Sequence, residues 1–138
     1  MEQTKGNEKK LSSLEHSLTG FQQSLEINAS AFGVIEKDTI RNGQVQKFEV
    51  CVELFWKTAK KFLYEVHGLE ALSPKAVMKT LYRINYADEK NYEALMEMIN
   101  DRNRLSHIYN EARFNEIYNR LSEYLQLMIH LTQTIKNP

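Results

Sequence analysis

The chain has 138 residues, of which 42% are hydrophobic and 26% are charged. A chain of this length and composition fits one domain of an ordinary soluble protein, and it excludes a disordered or membrane-embedded protein. Eighteen basic residues balance eighteen acidic ones, so no overall positive field can hold nucleic acid and any contact with RNA must be local.

Cysteine usage and the N-terminal residues indicate a cytoplasmic protein. The single cysteine, Cys51, excludes an internal disulfide and a cysteine-rich zinc site, and its apolar neighbours predict that it is buried. The chain begins with polar and charged residues that lack the apolar core of a signal peptide, and no apolar run reaches the roughly 18 residues of a membrane span. We therefore expect no export and no membrane contact.

Apolar residues recur at steps of three and four along most of the chain, which predicts long helices. The five predicted helices carry their apolar stripes over residues 11–35, 45–69, 77–84, 92–99 and 114–135. Local signals mark some of the ends: Asp38 or Thr39 is suited to cap the second helix, Gly68 to end it, Ser73 to begin the third and Asp88 to begin the fourth.

These helices predict one all-α domain over residues 1–138, an antiparallel up-and-down bundle of four to five helices whose first eight residues fray. The second and fifth helices have apolar residues beyond one narrow stripe, namely Trp56, Leu63, Leu125 and Ile129. Such residues either complete the core of the monomer or form part of a dimer interface, and the pattern leaves both interpretations open.

Metal and cofactor chemistry is not indicated. A carboxylate-bridged metal site in a bundle needs Glu-x-x-His pairs on two helices, and the sequence has none. Glu93, Glu97 and Asp101 share a helix face, which we interpret as a solvated acidic face. Histidines 16, 67 and 130 are isolated. The phosphate-binding glycine loops and the Gly-Ser and Asp-x-Asp motifs of a nucleotidyltransferase are also absent.

A dense polar cluster lies at 101–109, at the end of the fourth predicted helix. Histidine can take a proton from a ribose 2′-hydroxyl, and arginine can hold a phosphate through two parallel hydrogen bonds, so Arg102 and His107 together suit RNA cleavage without a metal. Five residues of straight helix turn through about 500 degrees, which leaves the two side chains about 140 degrees apart. The pair therefore needs a helix end near Ser106 or the same segment of a second subunit.

Two motifs carry a resemblance to a known family. Residues 102–109 resemble the Arg-x4-His-x-Tyr signature of HEPN proteins that pair with minimal nucleotidyltransferases in toxin-antitoxin systems. Residues 46–49 and 53–57 resemble the Gln-Arg-Phe-Glu and Glu-Leu-x-Trp-Lys run of nucleotidyltransferase substrate-binding proteins, with Lys47 where arginine is frequent and Phe55 where a small residue is common. The resemblance extends from about Leu11 to Ile135.

The resemblance implies a helical bundle that forms a homodimer and assembles with a separate minimal nucleotidyltransferase. It further implies a metal-independent ribonuclease in which Arg102 and His107 are catalytic and Asn103 is a supporting contact, and which the nucleotidyltransferase silences by transferring AMP to Tyr109. No cofactor is implied.

The interpretation also includes two carboxylates, and it leaves two alternative functions open. Glu49 and Glu53, one turn apart, are expected to orient Arg102 or Arg104 through charge-assisted hydrogen bonds, whereas Phe48, Phe55 and Trp56 are expected in the core. The alternatives to a ribonuclease are a non-catalytic subunit that presents substrate to the nucleotidyltransferase, and a purely structural dimeric bundle.

Overall fold

The computed structural model describes the backbone of residues 2–108 and 110–138 and the side chains of residues 8–108 and 110–138. Its α-helices are α1 (Glu2–Leu25), α2 (Val34–His67), α3 (Pro74–Arg83), α4 (Glu89–Arg104), α5 (Glu111–Tyr118) and α6 (Leu121–Lys136). Short 3₁₀ helices lie at Ala29–Ala31 and Leu105–His107. The described residues contain no strand, and the prediction of an all-α bundle is confirmed.

The central helix is α2, whose 34 residues span about 50 Å. It packs against α1, α3, α4 and α6, and its buried face includes Phe48 and Phe55, both fully buried as expected of core residues. Full burial of a large apolar side chain stabilises the fold by about 1.5–3 kcal/mol. These aromatic side chains therefore fix α2 as the scaffold on which the other helices lie.

The first two helices differ from their predicted bounds. Helix α1 ends at Leu25, and Ile35 lies in α2 with 80% of its surface exposed, so the apolar stripe past Leu25 is not the buried face of one helix. Asp38 and Thr39, predicted as caps, lie inside α2. Gly43 does not interrupt this helix, since the roughly 1 kcal/mol that a helical glycine costs is outweighed by burial of its neighbours.

Three predicted helix ends are present. Gly68 takes the left-handed conformation (φ 65°) after α2, where its N–H donates to backbone carbonyls of the last turn. The Ser73 side chain accepts a hydrogen bond from the N–H of Ala76, and the Asp88 side chain accepts one from the N–H of Asn91. Local sequence signals were sufficient at these positions because each cap is made within three residues of the helix end.

The last predicted helix is two helices. Helix α5 begins after Asn110, whose side chain accepts a hydrogen bond from the N–H of Arg113, and α6 begins at Leu121. The two pack on different parts of the bundle: the Tyr118 hydroxyl of α5 donates to the Gln44 side chain in the first half of α2, whereas α6 packs against α1, α2 and α4. The apolar period alone did not reveal the break between them.

The residues beyond the narrow stripes belong to the core of this chain. Leu63 and Leu125 are buried, and Trp56 and Ile129 are partly buried against the core cluster. Cys51 is buried as expected, and burial raises the pKa of its thiol to about 12. No helix in the described part of the chain is long and apolar enough to cross a membrane.

Candidate functional site

The polar cluster lies at a break in the backbone. Helix α4 ends at Arg104, a 3₁₀ turn follows over Leu105–His107, and Ile108 is extended with φ −92° and ψ 124°. The helix end, one of the two conditions under which Arg102 and His107 could form one site, is therefore present. His107 sits on the turn as an exposed side chain.

Arg102 is directed toward α2. Its Nη2 lies 3.2 Å from Glu53 Oε2, and its side chain is 37% exposed. Glu53 Oε2 also accepts a hydrogen bond from Trp56 Nε1 at 3.1 Å, and Oε1 lies 2.9 Å from Lys57 Nζ. The hydrogen bond from Lys57, assisted by that from Trp56 and by the Arg102 charge, lowers the pKa of Glu53 against the opposing effect of burial. Glu53 is thus a charged anchor for Arg102.

The Arg102 guanidinium has a further donor, Nε, that is buried and lacks an acceptor among the described residues. Glu49, one turn before Glu53 on α2, is half-buried and makes no hydrogen bond or ion pair with the cluster among the side chains that the structure describes. Of the two carboxylates expected to orient the arginines, the structure brings Glu53 to Arg102.

Arg104 points to another side of α4 and joins a buried carboxylate. Its Nη1 lies 2.8 Å from Glu97 Oε1 and 2.8 Å from Asp101 Oδ1. Asp101 is fully buried and also accepts two hydrogen bonds from Arg120, Nε to Oδ2 at 2.8 Å and Nη2 to Oδ1 at 3.0 Å, and one from the Tyr124 hydroxyl. The prediction that Asp101 belongs to a solvated acidic face is wrong, because Arg120 and Tyr124 of the last part of the chain cover it.

The charge states of this network follow from its hydrogen bonds. Burial by itself would raise the pKa of Asp101, but the hydrogen bonds from Arg120, Tyr124 and Arg104 together leave it below its ordinary value. Burial and the hydrogen bond to Asp101 raise the pKa of Tyr124, and the hydrogen bond to the Asp101 carboxylate raises the pKa of Arg120. Hydrogen bonds to Glu97 and Asp101 raise the pKa of Arg104. Asp101 therefore remains a buried carboxylate that fixes the end of α4 to α6.

His107 opens onto a cavity of about 330 Å³. The cavity is lined by Asn100, Asn103, Arg104, His107, Ile108 and Arg113. Within one chain the structure brings His107, Asn103 and Arg104 together, while Arg102 is turned toward Glu53 and does not line the cavity. Tyr109, the expected acceptor of AMP, lies outside the described residues. Among the side chains described, no group of three or more His, Cys, Asp or Glu residues could hold a metal ion.

Sequence reasoning missed the partners of Asp101. Arg120 and Tyr124 follow Asp101 by 19 and 23 residues and meet it only when α6 packs on α4. Neither has a motif of its own. The one available signal was an aspartate beside two arginines at a predicted helix end, which indicates a charge network without naming the distant members.

Comparison with known proteins identifies the family and the fold. The family described as "Nucleotidyltransferase substrate binding protein like" matches residues 9–137. The Thermus thermophilus protein ttk003001694 is 29% identical over 94% of this chain and 98% of that chain, with a TM-score of 0.70. HI0074 of Haemophilus influenzae, described as having the fold of a substrate-binding domain of a nucleotidyltransferase, is 20% identical over 91% of this chain and 98% of that chain, with a TM-score of 0.74.

A further similar structure is that of the tri-AMPylated HEPN toxin of Shewanella oneidensis in complex with the MNT antitoxin. It is 16% identical over 96% of this chain and 97% of that chain, with a TM-score of 0.73, a likeness that concerns the fold. Among curated proteins, a sequence search finds no match. Since the family match extends over all but the ends of the sequence, the chain belongs to the nucleotidyltransferase substrate-binding protein family.

Proposed function

We propose that this chain is a HEPN toxin-type, metal-independent ribonuclease and the helical partner of a separate minimal nucleotidyltransferase. Arg102 and His107 are its catalytic residues, and AMP transfer to Tyr109 silences it. The observation that carries the proposal is the break of α4 at Arg104, which exposes His107 of the Arg-x4-His-x-Tyr segment at a cavity whose lining includes Asn103 and Arg113. The shared fold with the Shewanella oneidensis HEPN toxin supports the same assignment.

The surroundings of His107 suit a general base. An exposed imidazole at a cavity of about 330 Å³ can reach the 2′-hydroxyl of a bound ribose, and the Asn103 amide, which lines the same cavity, can bond the neighbouring phosphate. Arg104 is held by Glu97 and Asp101, so it positions the wall of the cavity more than it neutralises a substrate charge. A charged group is therefore still needed at the attacked phosphate.

Arg102 supplies that group in a dimer. In a single chain it is turned away from the cavity toward Glu53, yet 37% of its side chain is exposed. A second subunit whose His107 faces Arg102 would complete two equivalent sites across a two-fold axis. The homodimer is thus part of the proposal, and its sites combine residues of both chains.

The reaction is an intramolecular transesterification. His107 accepts the proton of the 2′-hydroxyl, the 2′-oxygen forms a bond to phosphorus, and the bond from phosphorus to the 5′-oxygen breaks. Arg102 stabilises the negative charge that develops on the phosphoryl oxygens. The leaving 5′-oxygen takes a proton from water, and His107 returns its proton to the hydroxide that remains, so the products are a 2′,3′-cyclic phosphate and a 5′-hydroxyl end.

RNA cleavage by the purified chain in a chelating buffer tests the proposal. The wild-type chain is expected to produce cyclic-phosphate ends, and His107→Ala is expected to lower the rate by at least about 10²-fold, as is usual for loss of a general base. His130→Ala is the matched control, since His130 is an exposed histidine of α6 away from the cavity. Equal rates for wild-type and His107→Ala chains, or no cleavage by either, would contradict the proposal.

A second function is favoured by the description of the family, which names substrate binding. In that case the chain presents substrate to the nucleotidyltransferase and has no chemistry of its own. The rate of nucleotide transfer by the purified partner enzyme to an acceptor other than this chain, measured with and without this chain, separates the two. The binding subunit requires a large loss of transfer without the chain, whereas the ribonuclease requires no such dependence.

A further inference from the structure

Three neighbouring cavities, which have lining residues in common, extend along one side of the bundle from His107. The cavity of His107 shares Ile108 with a second cavity of about 370 Å³, and the second shares Arg41 and Glu111 with a third of about 680 Å³. The three pass the two neighbours of Tyr109, Ile108 and Asn110, and end at the loop that contains Asn28. We call this series of cavities the α4–α5 trough. Each cavity lies within the size range of small-ligand sites.

Asparagine is concentrated in the trough. Seven of the 11 asparagines of the chain line it. They are Asn100 and Asn103 in the first cavity, Asn42 and Asn110 in the second, and Asn28, Asn115 and Asn119 in the third. An amide offers both donors and acceptors, and it is the side chain best suited to bond base edges and phosphates without a net charge.

Three of these asparagines are held in place by hydrogen bonds to the side-chain oxygen alone. The side-chain oxygens of Asn28 and Asn110 accept hydrogen bonds from the N–H groups of Ser30 and Arg113, as helix caps do. The oxygen of Asn115 accepts a hydrogen bond from Arg41. Capping explains the position of these side chains, but it uses the oxygen and leaves the NH₂ group of each amide as a donor for a ligand.

Arg41 stabilises the part of the trough that is farthest from His107. Its guanidinium carbon lies 5.0 Å from the centroid of the Phe114 ring and 4.6 Å from that of Tyr118, in addition to the hydrogen bond with Asn115. Cation–π contacts of this kind are worth about 0.5–2 kcal/mol. Helix α5 is thereby fixed to α2, so the trough is a preformed feature that binding need not assemble.

The charge of the trough sets the strength of binding. Its cations are Arg104, Arg113, Arg41 and Lys37, and its acids are Glu26, Asp38 and Glu111. Because Arg104 already pairs with Glu97 and Asp101, Arg113, Arg41 and Lys37 are left for phosphates; they equal the three acids in number, so the trough offers local contacts without a net positive charge. Three phosphate contacts on a single strand give a slope of about −2 in a plot of log K against log salt, which fits a chain with no net charge and a local contact.

From these observations we infer that the α4–α5 trough binds the single-stranded RNA that flanks the cleaved phosphate, about one nucleotide in each cavity. This inference rests on the proposed ribonuclease function, which places the scissile phosphate at His107. The cations near each end, Arg113 and Lys37, hold phosphates of the strand. The amides between them contact sugars and bases.

Binding of a labelled RNA of about 12 nucleotides by the dimeric full chain tests the inference independently of cleavage. All measurements use the His107→Ala background in chelating buffer, so that the RNA stays intact whether or not the chain is a nuclease. Lys37→Glu with Arg113→Glu is expected to weaken binding at least about tenfold and to reduce the salt slope by about 1.4, because two phosphate contacts are lost. The matched control, Lys79→Glu with Arg83→Glu, reverses two exposed charges of α3 and is expected to bind as the background chain does.

The outcomes are distinct. Equal RNA binding by the trough variant and the control would overturn the inference. If the trough variant bound RNA normally but no longer bound the nucleotidyltransferase, the inference would also fail, because the trough would then be a protein-docking surface. If charge reversal lowers the melting temperature, RNA binding is measured again with the milder variant, Lys37→Gln with Arg113→Gln. Failure of cleavage by the wild-type chain with intact trough binding would reject the nuclease and keep the RNA site.

Discussion

Arg102 of α4 and Glu53 of α2 are joined by an ion pair of 3.2 Å although 49 residues separate them in sequence. The pair links the segment 102–109 to the central helix, and Glu53 is itself fixed by Trp56 and Lys57. Both partners are about one-third exposed, so the pair adds little to the stability of the fold. Its importance lies in directing the Arg102 guanidinium.

Glu53→Gln tests that positioning role. The free energy of unfolding should change by less than about 1 kcal/mol, because exposed ion pairs are weak. RNA cleavage should fall about tenfold, since a misplaced guanidinium stabilises the developing charge poorly. Glu49→Gln is the matched control one turn away, and its cleavage rate should stay within about twofold of the wild-type rate. Similar losses in both variants would show that the pair does not position Arg102.

Asp101→Asn should be strongly destabilising. The substitution removes a fully buried carboxylate that accepts hydrogen bonds from Arg120, Arg104 and Tyr124. Because the two arginine side chains are 36% and 47% exposed, they are not left as buried charges, and the cost should be about 1.5–3 kcal/mol. Denaturant unfolding measures the loss. Glu97→Gln, which removes the exposed partner of the same Arg104, should cost less than about 1 kcal/mol. A cost for Asp101→Asn as small as that for Glu97→Gln would mean that the buried network does not hold α4 to α6.

The stabilising effect of Asp101 should depend on pH in a defined direction. Its pKa is lowered in the folded chain, so its contribution is complete above the unfolded value of about 3.9 and is lost as the pH falls through the folded value. The difference in unfolding free energy between wild type and Asp101→Asn should be equal at about pH 5 and pH 8 and should narrow below about pH 4. A difference that grows as the pH falls would contradict the assigned charge state.

Mixing two inactive variants tests the shared site. If Arg102 of one subunit serves His107 of the other, a heterodimer of Arg102→Ala and His107→Ala contains one intact site of two. Random exchange makes about half of the dimers mixed, so cleavage should return to about a quarter of the wild-type rate. A site built within one chain would leave the mixture inactive, because neither chain carries both residues.

The sequence predicted those features of the fold that depend on nearby residues. Gly68, Ser73 and Asp88 mark helix ends because their caps form within the same turn. The end of α1 at Leu25 and the passage of α2 through Gly43 depend on packing between helices, which the apolar period does not encode.

The candidate site likewise has features that the sequence predicted and features that it did not. The motif located Arg102 and His107, and the charge pattern suggested a carboxylate of α2 beside an arginine, which the structure shows at Glu53. The Asp101 network joins residues 19 and 23 positions apart through contacts between α4 and α6. No local pattern predicts such a meeting, because an arginine and a tyrosine on an amphipathic helix are ordinary surface and core residues.

The most direct test of the account is the RNA-cleavage rate of the purified chain before and after treatment with its nucleotidyltransferase partner and ATP, with metal chelated once transfer has ended. The untreated chain is expected to cleave RNA. Treatment should add the mass of AMP to the peptide that contains Tyr109 and reduce the rate at least about tenfold, whereas Tyr109→Phe should keep both its mass and its rate. No cleavage by the untreated chain, or equal cleavage by the modified and unmodified chains, would contradict the account.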